Sequence, residues 1–158
     1  VVDASFSMGG EPFDDARGRI RYSIARLDST QSFSVRFFSA NRVHCFPEQG
    51  QEGAFAPATI QSIRELASWM REVKPGGMSI PANALQAALQ SEPDVVFFYS
   101  DGVFAKGTLD VVKASRKPHT VIHAIGFGDR DDGKRTLEDL ASLGDGRLTV
   151  VPSSTLNP

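Results

Sequence analysis

The chain has one cysteine, Cys45, among its 158 residues. A single thiol makes no internal disulfide and no thiolate metal centre, so Cys45 reads as a small apolar residue on a strand. Long hydrophobic runs are missing too. The most continuous one, Val95 to Tyr99, is far too short to span a bilayer. Neither sign of charge is in excess: 17 Lys and Arg face 19 Asp and Glu, a net charge of −2. No basic cluster of the kind that grips nucleic acid or an anionic membrane surface occurs. No internal repeat is visible either.

What remains is ordinary globular material, 41% hydrophobic and 23% charged, in a length suited to about one domain with its own core. The spacing predicts strand–helix alternation along most of it. Val1 and Val2 read as the end of a buried strand, and Gly9-Gly10 as the turn out of it. Pro12 suits the first turn of a helix over residues 12–27, whose apolar face is Phe13, Ala16, Ile20, Ile24 and Leu27. Gly18 weakens that helix by about 1 kcal/mol relative to Ala, and a close helix–sheet contact is the expected reason.

Phe33, Val35 and Phe37 alternate with Ser34 and Arg36, a strand with one apolar face. A short turn then leads to a second strand, Val43 to Phe46, giving an antiparallel hairpin at the sheet edge. Pro47 to Ala58 reads as a loop. Thr59 is placed to cap a helix with Ile60, Ile63, Leu66 and Met70 on one face. After the break at Lys74 to Gly77, a further helix turns Ala84, Leu85, Ala88 and Leu89 inward. Val95 to Tyr99 reads as a strand covered on both faces, ending in Ser100-Asp101-Gly102. A short helix over 108–115 and a strand from Thr120 to Ile125 follow, then a glycine-rich loop, Gly126 to Gly133. Thr136 with Asp139 offers a capping box for a helix bearing Leu137, Leu140 and Leu143, and Arg147 to Val151 is the last strand.

This order predicts an α/β fold: a Rossmann-like open sheet, mainly parallel, with one antiparallel edge strand and helices on both faces. The domain spans 1–151 and 152–158 reads as a tail or linker. Because the chain opens inside a central strand, the start of that strand is expected upstream, within a larger polypeptide.

Asp3, Ser5 and Ser7 stand at every second position where the first strand ends. In such a sheet, ligands bind at the carboxyl ends of the strands. A carboxylate and two hydroxyls are hard donors, suited to Mg²⁺, Mn²⁺ or Ca²⁺ rather than zinc. Asp101 offers a second carboxylate at another strand's carboxyl end.

Asp3-Ala4-Ser5-Phe6-Ser7-Met8 resembles the D-x-S-x-S-M signature of the metal-ion-dependent adhesion site in von Willebrand factor A domains. Ser100-Asp101-Gly102, Ile125 to Gly128 and Leu137 to Gly146 are similar to that family's later landmarks. The resemblance implies a non-enzymatic, cation-assisted protein-binding module. Its metal ligands would be Ser5 and Ser7 directly and Asp3 and Asp101 mostly through water. A protein partner's Asp or Glu carboxylate would complete the coordination. One ligand departs from the pattern. The family's third loop usually reads Gly-Gly-Thr, whereas Gly76-Gly77 is followed here by Met78, whose thioether suits a hard cation poorly. Ser79, one residue on, is expected to cap the next helix; a shifted loop would instead turn it inward.

Two other readings start from the same residues. Asp3, Ser5, Ser7 and Asp101 can form a metal-free, hydrogen-bonded cluster in an interaction scaffold. Alternatively, Ser5 to Gly10 resembles the nucleophile elbow of α/β hydrolases, with Ser7 as nucleophile, Asp101 as acid and His119 or His123 as base. Against the latter, Ser5 stands where the elbow wants Gly, and His123 alternates with Val121 inside a strand. Asp129, Asp131 and Asp132 miss the EF-hand spacing and read as a solvated loop.

Overall fold

The computed structural model describes residues 1–40, 42–47, 55–104 and 107–152. The strands are β1 (Val2–Asp3), β2 (Ser32–Phe33), β3 (Val35–Ser39), β4 (Arg42–Phe46), β5 (Ala56–Pro57), β6 (Val95–Ser100), β7 (Val121–Phe127) and β8 (Leu148–Val151). The helices are α1 (Glu11–Ile24), α2 (Ile60–Glu72), α3 (Ala82–Gln90), α4 (Gly107–Ser115) and α5 (Asp131–Leu143). Six strands form one sheet in the order β4-β3-β1-β6-β7-β8. All its pairings are parallel except β3 with β4, the expected edge hairpin.

Two helix layers follow from side-chain alternation on the strands. On one face, Phe13 and Ile20 of α1 and Leu66 and Met70 of α2 gather with Val2, Phe37, Tyr99 and Phe127. On the other, Leu85 and Leu89 of α3, Val112 of α4, and Leu137 and Leu140 of α5 gather with Phe38, Phe98, Ile122 and Ala124. The fold is thus a Rossmann-like α/β sheet with helices on both faces. Thr59 caps α2 as expected, accepting the Ser62 amide at 3.1 Å.

Several local expectations are corrected. The strand expected through Phe33 breaks at Ser34, and β2 pairs with β5 in a separate antiparallel ribbon. β3 is covered on both faces, because Phe38 is as buried as Phe37 and Arg36 is buried with them. The Arg36 guanidinium is satisfied by the Ser34 and Ser91 hydroxyls. Ile60 is 71% exposed. At 100° per residue it lies roughly 120° around α2 from Leu66, off the buried stripe. β6 is not covered on both faces, since Val95 and Phe97 remain 44% and 46% exposed. No close contact accounts for Gly18, as a Cβ there would meet nothing within 4 Å.

The loop expected at 126–133 is shorter. Gly126 and Phe127 belong to β7, and α5 already starts at Asp131. Gly126 makes room for its neighbours and is not a turn: a Cβ there would stand 3.0 Å from Leu137. Thr136 therefore sits inside α5, its hydroxyl donating to the Asp132 carbonyl, and caps nothing. Residues 48–54 of the expected 47–58 loop and 153–158 of the expected tail lie outside the described residues.

Candidate metal centre

Three chain segments meet at the carboxyl end of β1. The first leaves β1 through Ala4 and Ser5 into a single 3-10 turn, Phe6–Met8, pinned by the fully buried Met8. The second is the Pro75–Ser79 loop. Its Gly76 amide donates to the Ala4 carbonyl at 2.7 Å, and its Gly77 carbonyl accepts the Phe6 amide at 2.9 Å. Arg17 of α1 steadies the start of this loop by donating to the Met70 and Val73 carbonyls at the end of α2. A guanidinium there also complements the negative end of the helix.

The third segment is the end of β6. Val2 pairs with Tyr99, so Asp3 stands level with Ser100, and Asp101 is one residue further on. Gly102, at φ +80°, and Gly133 hold that corner against α5. A Cβ on Gly133 would fall 2.2 Å from the Asp101 carbonyl oxygen, so only glycine permits this backbone contact.

Asp3 is fully buried. Its Oδ1 accepts the Ser5 amide at 2.9 Å, and its Oδ2 accepts hydroxyls from Ser79 and Ser100, each at 2.7 Å. None of the ion pairs among the described residues involves it. Burial pushes its pKa above 3.8, and the bonds from Ser79, Ser5 and Ser100 offset part of that rise. The Ser5 and Ser7 hydroxyls lie 3.1 Å apart, Ser5 buried and Ser7 open to solvent. Asp101 is half-buried, with Oδ1 accepting the Val103 amide at 3.1 Å. Strand pairing places it one residue beyond Ser100, at the same edge of the sheet as Asp3.

Ser79 does not cap α3. The cap position is Pro81, and the Ser79 hydroxyl turns inward to Asp3. Met78 points away and is 71% exposed. Sequence reasoning gave Ser100 no role, yet it is fully buried and donates to Asp3. The signal was present: a hydroxyl closing an otherwise apolar strand, in register with a buried carboxylate.

The donor set is all hard oxygen: two carboxylates and the hydroxyls of Ser5, Ser7 and Ser79. Neighbouring ligands on an octahedral ion with bonds of about 2.0–2.1 Å stand roughly 2.9 Å apart. The Ser5–Ser7 separation of 3.1 Å fits that spacing. The donor chemistry and this one spacing suit a Mg²⁺-sized cation.

Among the described residues no Ser-His-Asp arrangement forms. His123 pairs with Phe97, three residues short of the Ser100–Gly126 level, or about 10 Å down the strands. Its ring packs at a tilt against Phe97 and its Nδ1 accepts the Arg147 amide. His119 is exposed ahead of β7, at the opposite end of the sheet from Ser7. The acidic run at 129–132 is engaged in ion pairs, Asp132 with Arg130 and Asp129 with Lys134. The Arg130 hydrogen bond holds Asp132 at about 2. Among the described residues no three His, Cys, Asp or Glu side chains gather as a metal site of their own.

A family model described as von Willebrand factor type A domain matches residues 1–150. The chain belongs to that family. Solved structures agree on the fold of this von Willebrand factor type A domain. A von Willebrand factor type A protein from Catenulispora acidiphila aligns with a TM-score of 0.77 at 16% identity, covering 96% of this chain. The human COPII-coat protein Sec24c aligns at 0.68 and 9% identity over 98% of it, and the SpRpn10 VWA domain at 0.64 and 13% over 98%. The chain spans 37%, 29% and 87% of those three chains respectively. None of the curated proteins compared with it matches. Domains of this family are in general protein-interaction modules. Among the described residues, no helix is long and apolar enough to cross a membrane.

Proposed function

We propose that this domain binds a protein partner through a divalent cation held at Asp3, Ser5, Ser7 and Asp101. Mg²⁺ is the first choice, with Mn²⁺ or Ca²⁺ as substitutes, and an Asp or Glu carboxylate of the partner completes the coordination. The observation that carries this reading is Asp3 itself: a fully buried carboxylate with no cationic side chain paired to it among the described residues, beside two hydroxyls at ligand spacing. A divalent ion supplies the missing positive charge, and Asp101 brings the site's charge into balance. Ser79, already turned inward, offers the hydroxyl that Met78 does not. The role requires no catalysis.

A metal-free scaffold is the competing reading, and one observation favours it. Both oxygens of Asp3 already accept hydrogen bonds from Ser5, Ser79 and Ser100. Titration calorimetry with Mg²⁺ and Mn²⁺ separates the two. The cation reading expects one site per chain, and Ser7→Ala lowers its affinity at least 10-fold, in line with the roughly 10- to 100-fold losses seen when even outlying groups of metal sites are removed. No binding heat with either ion, in a chain shown to be folded, leaves the scaffold reading. Covalent labelling of Ser7 by a fluorophosphonate contradicts both.

A further inference from the structure

Each segment that brings an oxygen donor to the candidate centre also holds an apolar side chain out in water. Between the buried Ser5 and the open Ser7, Phe6 is 77% exposed. On the second loop Ser79 turns inward to Asp3, while Met78 beside it is exposed. At the third, Val103 donates its amide to Asp101 and leaves its own side chain partly open. We propose, on the basis of the cation reading above, that this apolar rim selects the partner. It takes a protein segment with one carboxylate for the cation, a bulky apolar residue directly beside that carboxylate, and no second acid next to it.

The two most exposed members of the rim lie on loops that are bonded together. The Phe6 amide donates to the Gly77 carbonyl at 2.9 Å, one residue from Met78. The Phe6 ring lies along the same loop, within 3.7 Å of where a Cβ on Gly76 would stand. Scattered exposed apolar residues are normal on a protein surface, but neighbouring ones rimmed by polar groups mark interaction sites. Consecutive Cα atoms are about 3.8 Å apart, so a residue next to the bound carboxylate reaches Phe6 or Met78 without any change of fold.

Charge sets the other half of the preference. The loop after β7 lies at this same edge, and there Arg130 and Lys134 are already engaged with Asp132 and Asp129. No ion pair among the described residues involves Asp101 or Asp131. A divalent ion offsets Asp3 and Asp101 and accepts one further carboxylate. A second acid beside it gains no cation and meets like charge on that side.

The test titrates three acetylated and amidated peptides, Gly-Leu-Glu-Leu-Gly, Gly-Gly-Glu-Gly-Gly and Gly-Glu-Glu-Glu-Gly, into the chain at saturating Mg²⁺, reading amide chemical shifts. The leucine peptide should bind at least about 10-fold tighter than either of the others, the scale expected when about half of two leucine side chains leaves water. Phe6→Ala and Met78→Ala should each narrow that gap at least about 3-fold, and Phe6→Leu should keep it. Mg²⁺ affinity by calorimetry should not change in any of these variants, because none of them adds or removes a hard donor. Equal binding of the leucine and glycine peptides, a gap that survives both alanine variants, or tightest binding of the triple-Glu peptide overturns the proposal and leaves the cation reading standing. No Mg²⁺ binding by the folded parent chain removes the cation reading itself, and this proposal with it.

Discussion

The two ends of the sheet are built to different tolerances. At the carboxyl end, Gly102 and Gly133 bring backbone against backbone with no room for a methyl group, and the buried Asp3 carboxylate is met by three donors. At the amino end of the same strands, Val95 and Phe97 look into a cavity of about 530 Å³. The difference teaches where this domain holds its geometry. The corner that carries Asp3 and Asp101 is fixed by main-chain contact, whereas Val95 and Phe97 at the far end are only half-buried.

The largest effect is expected at the glycine contact. Gly133→Ala pushes a methyl group into the Asp101 carbonyl and should cost about 3 kcal/mol in urea unfolding, the upper range for overpacking. It should also displace the Asp101 corner and weaken cation binding. At the amino end, Phe97→Ala should cost only about 1 kcal/mol, because a ring 46% exposed gives up roughly half the value of full burial. Equal losses at the two positions break the comparison.

A pH series sharpens it. Asp3 has a folded-state pKa raised above 3.8 by burial, so between that value and the raised one the folded state binds more protons than the unfolded state. Its contribution to stability is therefore fully present below 3.8 and is lost as pH rises through the folded-state value. The stability of the parent chain minus that of Asp3→Asn should fall across this window, by no more than about 1.4 kcal/mol per pH unit. Saturating Mg²⁺ should flatten or reverse the fall by favouring the carboxylate. A difference that rises with pH in the absence of metal contradicts the burial argument.

The smallest effect lies outside both ends. Gly18 is exposed in α1 with nothing near it, so Gly18→Ala should stabilise the chain by about 0.5–1 kcal/mol in thermal unfolding, through helix propensity alone. A loss there would reveal a role for the glycine that its surroundings do not explain.

Much of this was legible in the sequence. A continuous apolar run located β6, a second strand-like stretch located β7, helical spacing gave the inward face of α3, and Thr59 marked the start of α2. The D-x-S-x-S stretch and Asp101 marked the carboxyl ends of β1 and β6, two strands that pair in the sheet. What escaped depended on depth and direction. Ile60 carries the composition of a core residue, but the turn of the helix faces it outward. Gly126 looks like a turn residue, yet it sits in a strand to make space for Leu137. Ser79 has the chemistry of a helix cap, and only the loop's bonds to Ala4 and Phe6 swing it toward Asp3. Local propensity cannot report such cross-chain constraints. Ser100 was missed because a single hydroxyl after five apolar residues reads as the end of a strand.

The central claim is that a divalent cation sits at the carboxyl end, and paramagnetic broadening by Mn²⁺ tests it most directly. In amide spectra at substoichiometric Mn²⁺, the signals of Ser5 to Met8, Gly77 to Ser79 and Asp101 to Val103 should disappear first. Those of Phe97 and His123, at least about 10 Å down the strands, should persist longer, and Mg²⁺ should restore the lost signals by competition. Broadening that begins instead at Asp129 to Asp132, or spreads evenly over surface carboxylates, would contradict the account.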